Sequence, residues 1–381
     1  MTGDRIKVLH LVLDMHIGGL QRWVADTAVM MHGEKFNVEV VCLNALGFFA
    51  EQLMGGGIKV TLLQKNQEHF DPLCPFRLAR FLREHDIDIL HAHTGAFLFG
   101  ATAAALSRRS VSIYTEHGRF KTRAFIPQIE DRISGRLIDK IIAVSKELEN
   151  YLIQNVGLPA HKIQTVINGI ETKRYTHRPK PVRLLDEFGL SGSCRILGTV
   201  ARLDEVKDQF SMIKAFQLVH EKYPDTRLFL VGDGSMRQML SEYIGRNGLS
   251  SSVTITGSRK DIPEFLNLFD VFLLTSLSEG TSISLLEAMA SGVPPVVTRV
   301  GGNVSIVEDR VDGMVVEPKA VEDMSKAIVH LLASDSTRRQ FGERAMKKVR
   351  EHFSLDKMTD TYAGIYLDLL RRKGRISPVH S

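Results

Sequence analysis

Residues 6–21 read IKVLHLVLDMHIGGLQ, and this stretch decides the fold class. Ile6–Leu13 is a short apolar run, which is typical of a buried strand. Gly18 and Gly19 then mark a turn, and a helix is expected to start near Leu20. A strand, a glycine turn and a helix together form the first part of a βαβ unit, so the sequence predicts an α/β protein with a parallel sheet.

The alternation of strands and helices continues through the first half of the chain. Helical periodicity covers 76–84 and the alanine-rich stretch that ends at Leu106. Further strands are expected at 38–43, 60–63, 87–92, 112–115 and 140–144. A second series then follows, with strands at 195–200, 227–231, 253–255, 271–274 and 295–298. The sequence therefore predicts two parallel sheets in tandem, each with helices on both faces.

The chain length also indicates two domains. It has 381 residues, about 2.5 times the ~150 residues of an average domain. Lys173–Pro181 (KRYTHRPKP) is charged, holds two prolines and has no apolar periodicity, so it is interpreted as the linker. The predicted domains are 1–177 and 178–357, and an amphipathic helix of about 354–372 follows them.

Composition excludes several classes of protein. Hydrophobic residues make up 44% and charged residues 24%, which is ordinary for a globular chain. The net charge of +5 is mild, suits anionic ligands and does not demand nucleic acid. Three scattered cysteines favour a reducing compartment over a disulfide framework. The longest weakly polar run, 96–106, is too short to span a membrane, so a cytoplasmic protein, at most peripheral at the membrane, is expected.

The segment Ser278–Gly292, SEGTSISLLEAMASG, has the most specific pattern of chemistry. Glu279 follows a predicted strand, and Glu287 lies in a helix that Thr281 or Ser282 can cap. Free amides at a helix start attract phosphate, and carboxylates accept hydrogen bonds from sugar hydroxyls. These features suit a nucleotide-sugar site, although either glutamate taken alone is more often an ordinary surface acid.

Other candidates also follow predicted strands. Arg202 and Lys207 are two cations that could clamp a diphosphate. Gly18–Gly19 could let the backbone approach a ligand, but the GxGxxG dinucleotide fingerprint is absent. Gly232–Gly234 is interpreted as a tight turn, and the backbone of Ser258–Arg259 could hydrogen-bond a base edge.

Histidines form a further group of candidates. His117, in Thr115–Gly118 (TEHG), could orient a sugar or shuttle a proton. Of His91 and His93, one is expected to be a structural histidine. The chain has 14 histidines, so any single one is a weak prediction. No acidic metal motif accompanies these segments, and cations and amides rather than a metal are expected to stabilise a leaving diphosphate.

Taken in order, these motifs resemble glycosyltransferase family 4. The resemblance runs nearly end to end and peaks at two glutamates with seven residues between them, here Glu279 and Glu287. Further matching motifs are Gly18–Gly19, DILHAHTG (88–95), TEHG (115–118), AVSKE (143–147), VINGIE (166–171), Arg202 with Lys207, VGDG (231–234) and DIPEFLNLFD (261–270). Two positions depart from the family pattern. Thr281–Ser282 replace an aromatic residue and a proline, and Ser305 replaces an acid.

The resemblance implies a GT-B fold, in which two Rossmann-like domains face each other across a cleft and the terminal helix, 358–381, crosses back to the first domain. It also assigns roles. Arg202 and Lys207 would hold the donor diphosphate and Glu287 the ribose. Glu279 would contact the donor sugar, helped by the amides of Gly280, Thr281, Ser282 and Ile283. His117 would touch the transferred sugar, and Gly18–Gly19 would approach the phosphate and sugar.

The function implied is retaining transfer of a hexosyl group from a UDP- or GDP-linked sugar to a glycan or lipid-linked acceptor, without a metal. Cell-surface polysaccharide synthesis in a bacterium is the setting suggested by the family. Basic and apolar residues could dock on an anionic membrane. They are Arg108, Arg109, Arg119, Phe120, Lys121, Arg123, Phe125 and Ile126. Two alternatives stay open, a nucleotide-sugar epimerase on the same fold and a non-catalytic protein that binds sugar nucleotides or glycans.

Overall fold

The computed structural model describes residues 5–64, 71–118 and 125–376. The chain divides into two compact units. Unit 1 runs to Asn168 and resumes at Leu355, and unit 2 comprises Gly169–Ser354. Each unit contains one parallel sheet with helices, so the predicted pair of Rossmann-like α/β domains is confirmed. In the described ranges, no helix is both long and apolar enough to cross a membrane.

Unit 1 is built on a sheet of seven described strands in the order β3-β2-β1-β4-β5-β6-β7. The strands are β1 (Ile6–Asp14), β2 (Phe36–Ala45), β3 (Val60–Leu62), β4 (Ile89–His93), β5 (Val111–Glu116), β6 (Lys140–Ala143) and β7 (Ile163–Thr165). The helices are α1 (Gly19–Met31), α2 (Phe48–Gly55), α3 (Cys74–Glu84), α4 (Phe97–Ser107), α5 (Phe125–Leu137) and α6 (Lys146–Tyr151).

Unit 2 has six described strands in the order β10-β9-β8-β11-β12-β13. They are β8 (Arg195–Val200), β9 (Thr226–Val231), β10 (Val253–Gly257), β11 (Val271–Leu274), β12 (Pro295–Thr298) and β13 (Met314–Val316). The helices are α7 (Val182–Glu187), α8 (Gln209–Lys222), α9 (Arg237–Arg246), α10 (Ile262–Leu268), α11 (Ile283–Ala290), α12 (Asn303–Ile306), α13 (Val321–Leu332) and α14 (Asp335–His352).

The last helix, α15 (Leu355–Arg372), belongs to unit 1. Its buried face carries Met358, Tyr362 and Tyr366, spaced four residues apart as one face of a helix requires. The indole Nε1 of Trp23 in α1 donates to Met358 Sδ at 3.0 Å, and the Trp23 ring lies edge-on to Tyr362 with centroids 5.2 Å apart. Helix α15 therefore completes the core of unit 1, as the resemblance implied.

The segment interpreted as a linker, Lys173–Pro181, lies inside unit 2. Tyr175 is buried, and Lys180 Nζ lies 2.7 Å from Asp270 Oδ2 and donates to Cys194 O at 2.8 Å. Contacts of Tyr175 and Lys180 therefore fasten the segment interpreted as a linker to unit 2.

The strand order places one switch point in each sheet. The order reverses between β1 and β4 in unit 1 and between β8 and β11 in unit 2. At such a point the connections from neighbouring strands leave toward opposite faces, which opens a crevice at the carboxyl ends of the strands. Side chains that bind a ligand are therefore expected at these two strand pairs.

Two glycine substitutions are predicted to change the stability of unit 2 in opposite directions. A Cβ on Gly198 in β8 would lie 2.2 Å from the buried Phe269 ring, so Gly198→Ala should cost about 1–3 kcal/mol. A Cβ on Gly245 in α9 would meet nothing within 4 Å, so Gly245→Ala should stabilise by about 0.5–1 kcal/mol. Urea unfolding of both variants measures this. A Gly198→Ala variant as stable as the wild type would contradict the packing of β8 against Phe269, and a destabilised Gly245→Ala variant would contradict the open surroundings of Gly245.

Candidate functional site

Glu279 and Lys207 form an ion pair at the switch point of unit 2. Glu279 follows β11, and Lys207 Nζ lies 2.5 Å from its Oε1 atom. The Ser276 hydroxyl donates to the same oxygen at 2.5 Å. The Glu279 side chain is 8% exposed and the Lys207 side chain is 19% exposed. Because water has little access to them, each charge is neutralised mainly by the other. The structure therefore brings these two candidate residues into direct contact.

Hydrogen bonds fix the loop after β8 to the loop after β11. The Thr275 hydroxyl donates to Lys207 O at 2.7 Å, and Leu277 N donates to Val206 O at 2.7 Å. Because these bonds join backbone to the neighbouring loop, they set the position of Lys207 independently of its own side chain. The two loops act as one rigid edge of the site.

Glu287 is a buried acid in α11, 7% exposed. Its helix begins behind Ser282, whose Oγ accepts a hydrogen bond from Leu285 N at 3.3 Å, so Ser282 is the capping residue. The Tyr175 hydroxyl donates to Glu287 Oε1 at 2.5 Å. Sequence reasoning missed Tyr175 because it lies 112 residues from Glu287 and inside the supposed linker.

The glycine pair Gly301–Gly302 packs directly against the backbone of the Glu279 loop. Gly302 N donates to Gly280 O at 2.8 Å. A Cβ on Gly301 would lie 1.8 Å from Glu279 O, and a Cβ on Gly302 would lie 2.0 Å from Gly280 O. Only glycine allows the two backbones to lie this close, so Gly301 and Gly302 fix the position of the Glu279 loop.

The Arg202 side chain is 72% exposed and pairs with Asp204 at 3.2 Å. Its loop rests on the turn Gly232–Gly234, which was interpreted as a simple turn. Leu203 N donates to Asp233 O at 3.0 Å, and a Cβ on Gly232 would lie 2.0 Å from Ala201 O. The turn therefore holds the backbone of Arg202 while its guanidinium stays accessible.

Ser258 and Arg259 follow β10, which is two strands away from β8 in the sheet. The Arg259 guanidinium donates to Glu187 Oε1 and to Asp261 Oδ2, both at 2.7 Å. This guanidinium holds the pKa of the Asp261 carboxyl well below its usual range. The side chain of Arg259 is therefore engaged within its own surface network, and the structure does not bring it to Glu279 and Lys207.

At the switch point of unit 1, Gly18 and Gly19 open helix α1 directly after β1. A Cβ on Gly19 would meet nothing within 4 Å, so packing within the unit does not require glycine there. No side chain caps this helix start. Free amides beside an uncrowded backbone are suited to an anionic ligand.

His117 follows β5 and is positioned by two neighbours. Its backbone N–H donates to Thr94 Oγ1 at 2.8 Å, and its Nε2 lies 3.1 Å from His93 Nδ1. Glu116 beside it is buried and accepts hydrogen bonds from Thr94 Oγ1 and Tyr114 Oη, each at 2.8 Å. The sequence predicted His117 but contained no signal for Glu116, whose position depends on strand pairing.

Behind His117 lies a histidine cluster, defined here as His10, His91, His93 and His117. The first three are fully buried. Burial lowers the pKa of His10 and of His117 to about 3, and it lowers those of His91 and His93 well below the usual value. All four rings are therefore neutral near pH 7. His91 hydrogen-bonds Tyr366 Oη and Thr115 Oγ1, both at 2.7 Å, which fits the structural histidine expected from the sequence.

The cluster also has the composition of a metal site. Ligand nitrogens of His10, His91 and His93 lie within 4.8 Å of one another. Both nitrogens of His91 are taken by hydroxyls, and both nitrogens of His93 are taken by other imidazoles. The rings are therefore arranged to bond to their neighbours rather than to converge on one ion.

Comparison with known proteins identifies the family. Residues 17–174 match the family model described as Glycosyltransferase Family 4, and residues 186–348 match that described as Glycosyl transferases group 1. The chain is 30% identical, over 81% of its length and 82% of the relative's, to N-acetyl-alpha-D-glucosaminyl L-malate synthase of Bacillus anthracis. It is 23% identical, over 98% and 99%, to UDP-Gal:alpha-D-GlcNAc-diphosphoundecaprenol alpha-1,3-galactosyltransferase of Escherichia coli.

Solved structures agree on the fold. Anabaena Alr3699/HepE in complex with UDP and glucose superposes with a TM-score of 0.83 at 24% identity, covering 95% of this chain and 99% of that one. The fold and site thus define a GT-B enzyme that acts on nucleotide sugars. The chain belongs to glycosyltransferase family 4. Of the alternatives left open by the sequence, the comparisons support the transferase over the epimerase and the non-catalytic protein.

The neutral histidine cluster predicts that unit 1 loses stability in mild acid. The folded pKa of His10 is lowered to about 3 from the ordinary 6.5, so below pH 6.5 the unfolded chain binds a proton that the folded chain does not. Stability is therefore greatest above pH 6.5 and falls as the pH drops. From His10 alone, the loss at pH 5.5 should be about 1.4 kcal/mol.

Fluorescence of Trp23, the one tryptophan of the chain, measures this in urea titrations at pH 7.5 and 5.5. The control is His10→Phe, which removes one titrating ring and should show a smaller loss between the two pH values. An equal loss in both proteins would mean that His10 is protonated in the folded state.

Proposed function

We propose that this enzyme transfers a hexosyl group from a UDP-sugar to a lipid-linked glycan acceptor with retention at the anomeric carbon, and that it needs no metal. The observation on which the proposal chiefly rests is the Lys207–Glu279 ion pair, together with Glu287 and the capped start of α11, the helix that follows the Glu279 loop. Here a cation, two sugar-binding acids and helix amides lie at the switch point of one sheet.

The donor diphosphate is assigned to Lys207 and Arg202. The Lys207 ammonium has three N–H donors, so it can bind a phosphate oxygen while it stays paired with Glu279. Arg202 is exposed on a supported loop and can turn its guanidinium to the phosphate. The first amides of α11 add partial positive charge. Together these groups stabilise the negative charge that develops on the departing diphosphate, the task that a metal performs in other enzymes.

The sugar portions are assigned to the acids. Glu287 would accept hydrogen bonds from the ribose hydroxyls, with the Tyr175 hydroxyl holding its carboxylate in position. Glu279 would accept from hydroxyls of the transferred sugar. His117 and the backbone of Gly18–Gly19 are assigned to the transferred sugar and its phosphate. UDP is the proposed nucleotide, because the Escherichia coli relative is named for UDP-Gal and HepE was solved with UDP.

Retention is proposed to proceed by attack on the face from which the diphosphate departs. The bond from the anomeric carbon to the phosphate oxygen breaks, and the bond to the acceptor oxygen forms on the same face. The acceptor proton passes to the departing phosphate. A double displacement would need a carboxylate free to attack the anomeric carbon, and the Glu279 carboxylate is instead paired with Lys207 and Ser276.

The acceptor is proposed to be a diphosphate-linked lipid at the cytoplasmic face of a membrane. The Escherichia coli relative is named for such an acceptor. Helix α5 exposes Ile129, Ile133 and Leu137 four residues apart, with Arg136 beside them, so one apolar and basic stripe faces outward.

Of the basic and apolar residues that the sequence suggested for membrane docking, Arg119, Phe120, Lys121 and Arg123 lie outside the described residues, as do the side chains of Phe125 and Ile126. Arg109 pairs with Asp86 at 2.9 Å.

UDP binding tests the assignment of the donor nucleotide. UDP at 100 times its dissociation constant should stabilise the protein by about 2.7 kcal/mol in a thermal shift assay, with or without EDTA. Arg202→Ala should weaken UDP binding by about 1.5–3 kcal/mol in calorimetry, because it removes a charge-assisted contact. Glu287→Gln should also weaken it.

Arg178→Ala is the matched control, because it removes an exposed cation elsewhere on unit 2 and should leave UDP affinity unchanged. A shift with GDP and none with UDP would refute the proposed nucleotide. An affinity for UDP that is the same in Arg202→Ala as in the wild type would remove Arg202 from the site.

Transfer in vesicles tests the assignment of the acceptor. With a UDP-hexose and a polyprenyl-diphosphate sugar in anionic vesicles, the product should carry the donor's anomeric configuration, read by NMR. Ile133→Ser should lower transfer in vesicles severalfold, because it interrupts the apolar stripe, but not transfer to the same acceptor in detergent. Val182→Ser, at an exposed apolar position of unit 2, is the control. An inverted product would exclude the proposed mechanism, and an equal effect in detergent would exclude docking by α5.

A further inference from the structure

Three imidazoles of unit 1 lie in line from the middle of the sheet to its carboxyl edge. His10 is in the centre of β1, His93 ends β4, and His117 follows β5. His10 Nδ1 lies 2.9 Å from His93 Nε2, and His93 Nδ1 lies 3.1 Å from His117 Nε2. Two hydrogen bonds therefore connect the buried ring to the ring at the edge of the sheet.

The hydrogens in this chain of rings can be arranged in only two ways. Each ring is neutral and has one N–H, because burial disfavours the imidazolium. If His93 Nδ1–H donates to His117, then His93 Nε2 must accept from His10. If His93 Nε2–H donates to His10, then His93 Nδ1 must accept from His117. The tautomers of the three rings are therefore coupled.

The buried end of the chain distinguishes the two arrangements. His10 Nε2 is buried and has no hydrogen-bond partner among the described residues. The second arrangement would place a hydrogen on this nitrogen with no acceptor, whereas the first leaves only a lone pair there. Buried N–H groups without an acceptor are the rarer of the two defects in proteins. The first arrangement is therefore favoured, with Nδ1–H on all three rings.

We propose that His93 is a positioning residue that holds His117 as its Nδ1–H tautomer, so that His117 presents a hydrogen-bond donor at the carboxyl edge of the sheet. The assignment of that donor to an oxygen of the transferred sugar rests on the proposed function. The tautomer itself follows from contacts within unit 1 alone.

This assignment separates two roles that the sequence left open for His117. A ring that carries a hydrogen on Nδ1 and whose Nε2 lone pair is occupied by His93 cannot take a proton from the acceptor. It orients the sugar, and the acceptor proton goes to the departing phosphate as proposed above. His93 has no contact with ligand in this scheme and acts only through His117.

The tautomer is measured on the wild-type chain labelled with ¹⁵N in its histidine rings. Long-range ¹H–¹⁵N spectra at pH 7.5 should show His117 with a protonated Nδ1 and an unprotonated Nε2, its signals being assigned by their loss in His117→Gln. Couplings between nitrogens across the two N–H···N bonds should link His10 to His93 and His93 to His117. A protonated Nε2 on His117 would overturn the proposal.

Two variants of His93 form a matched pair. The amide nitrogen of asparagine is as many bonds from the backbone as Nδ1, so His93→Asn can still donate to His117, whereas His93→Leu cannot. His93→Leu should convert His117 to a mixture of tautomers and lower kcat about tenfold with little change in the donor KM. His93→Asn should keep the Nδ1–H tautomer and most of kcat.

The outcomes separate this inference from the proposed function. If no UDP-sugar is transferred but His117 still responds to His93→Leu, the function fails and the positioning role stands. If His117 keeps one tautomer in His93→Leu, the positioning role is overturned, whatever the activity. One equivalent of Zn²⁺ bound by the wild type and lost in His10→Phe would also overturn it, because the ring nitrogens would then be metal ligands.

Discussion

The site of unit 2 depends on the hydrogen bonds that join the loop after β8 to the loop after β11. Strands β8 and β11 are neighbours in the sheet but lie on opposite sides of the reversal in strand order. Their loops would diverge without a direct connection, and Thr275 and Leu277 supply it by bonding to Lys207 and Val206. The Lys207–Glu279 pair can then form with little loss of side-chain entropy, since the backbone already places both groups together.

Glycines extend this rigid edge on both sides. Gly232 allows the turn after β9 to contact Ala201, and Gly301 and Gly302 allow the loop after β12 to contact Glu279 and Gly280. In each case a Cβ would lie within about 2 Å of a backbone oxygen. The glycines therefore act by allowing neighbouring loops to pack closely. They affect ligand binding through the positions of those loops and need no contact with the ligand.

The fold could be predicted from the sequence because its strands are short apolar runs with polar turns between them. The predicted bounds of β8, β11 and β12 agree with the structure, whereas β7 and β13, three residues each at the sheet edges, have too little pattern to detect. Glu279, Arg202 and Lys207 could be proposed from the sequence because each follows a strand, and Glu287 because it lies in the helix after the Glu279 loop. Tyr175 and the bond from His93 to His117 were missed, because they depend on strand order and register rather than on neighbouring residues.

The two units differ in the charge of the side chains at their switch points. Unit 2 keeps ionised groups at its switch point and satisfies them in pairs, which suits a ligand with phosphates and hydroxyls. Unit 1 buries three neutral imidazoles behind His117, and it buries a carboxylate, Glu116, that is held by hydroxyls. Since a neutral ring in a dry site keeps its tautomer only through its partners, the chain of histidines is the means by which unit 1 can present one defined polar atom without placing a charge there.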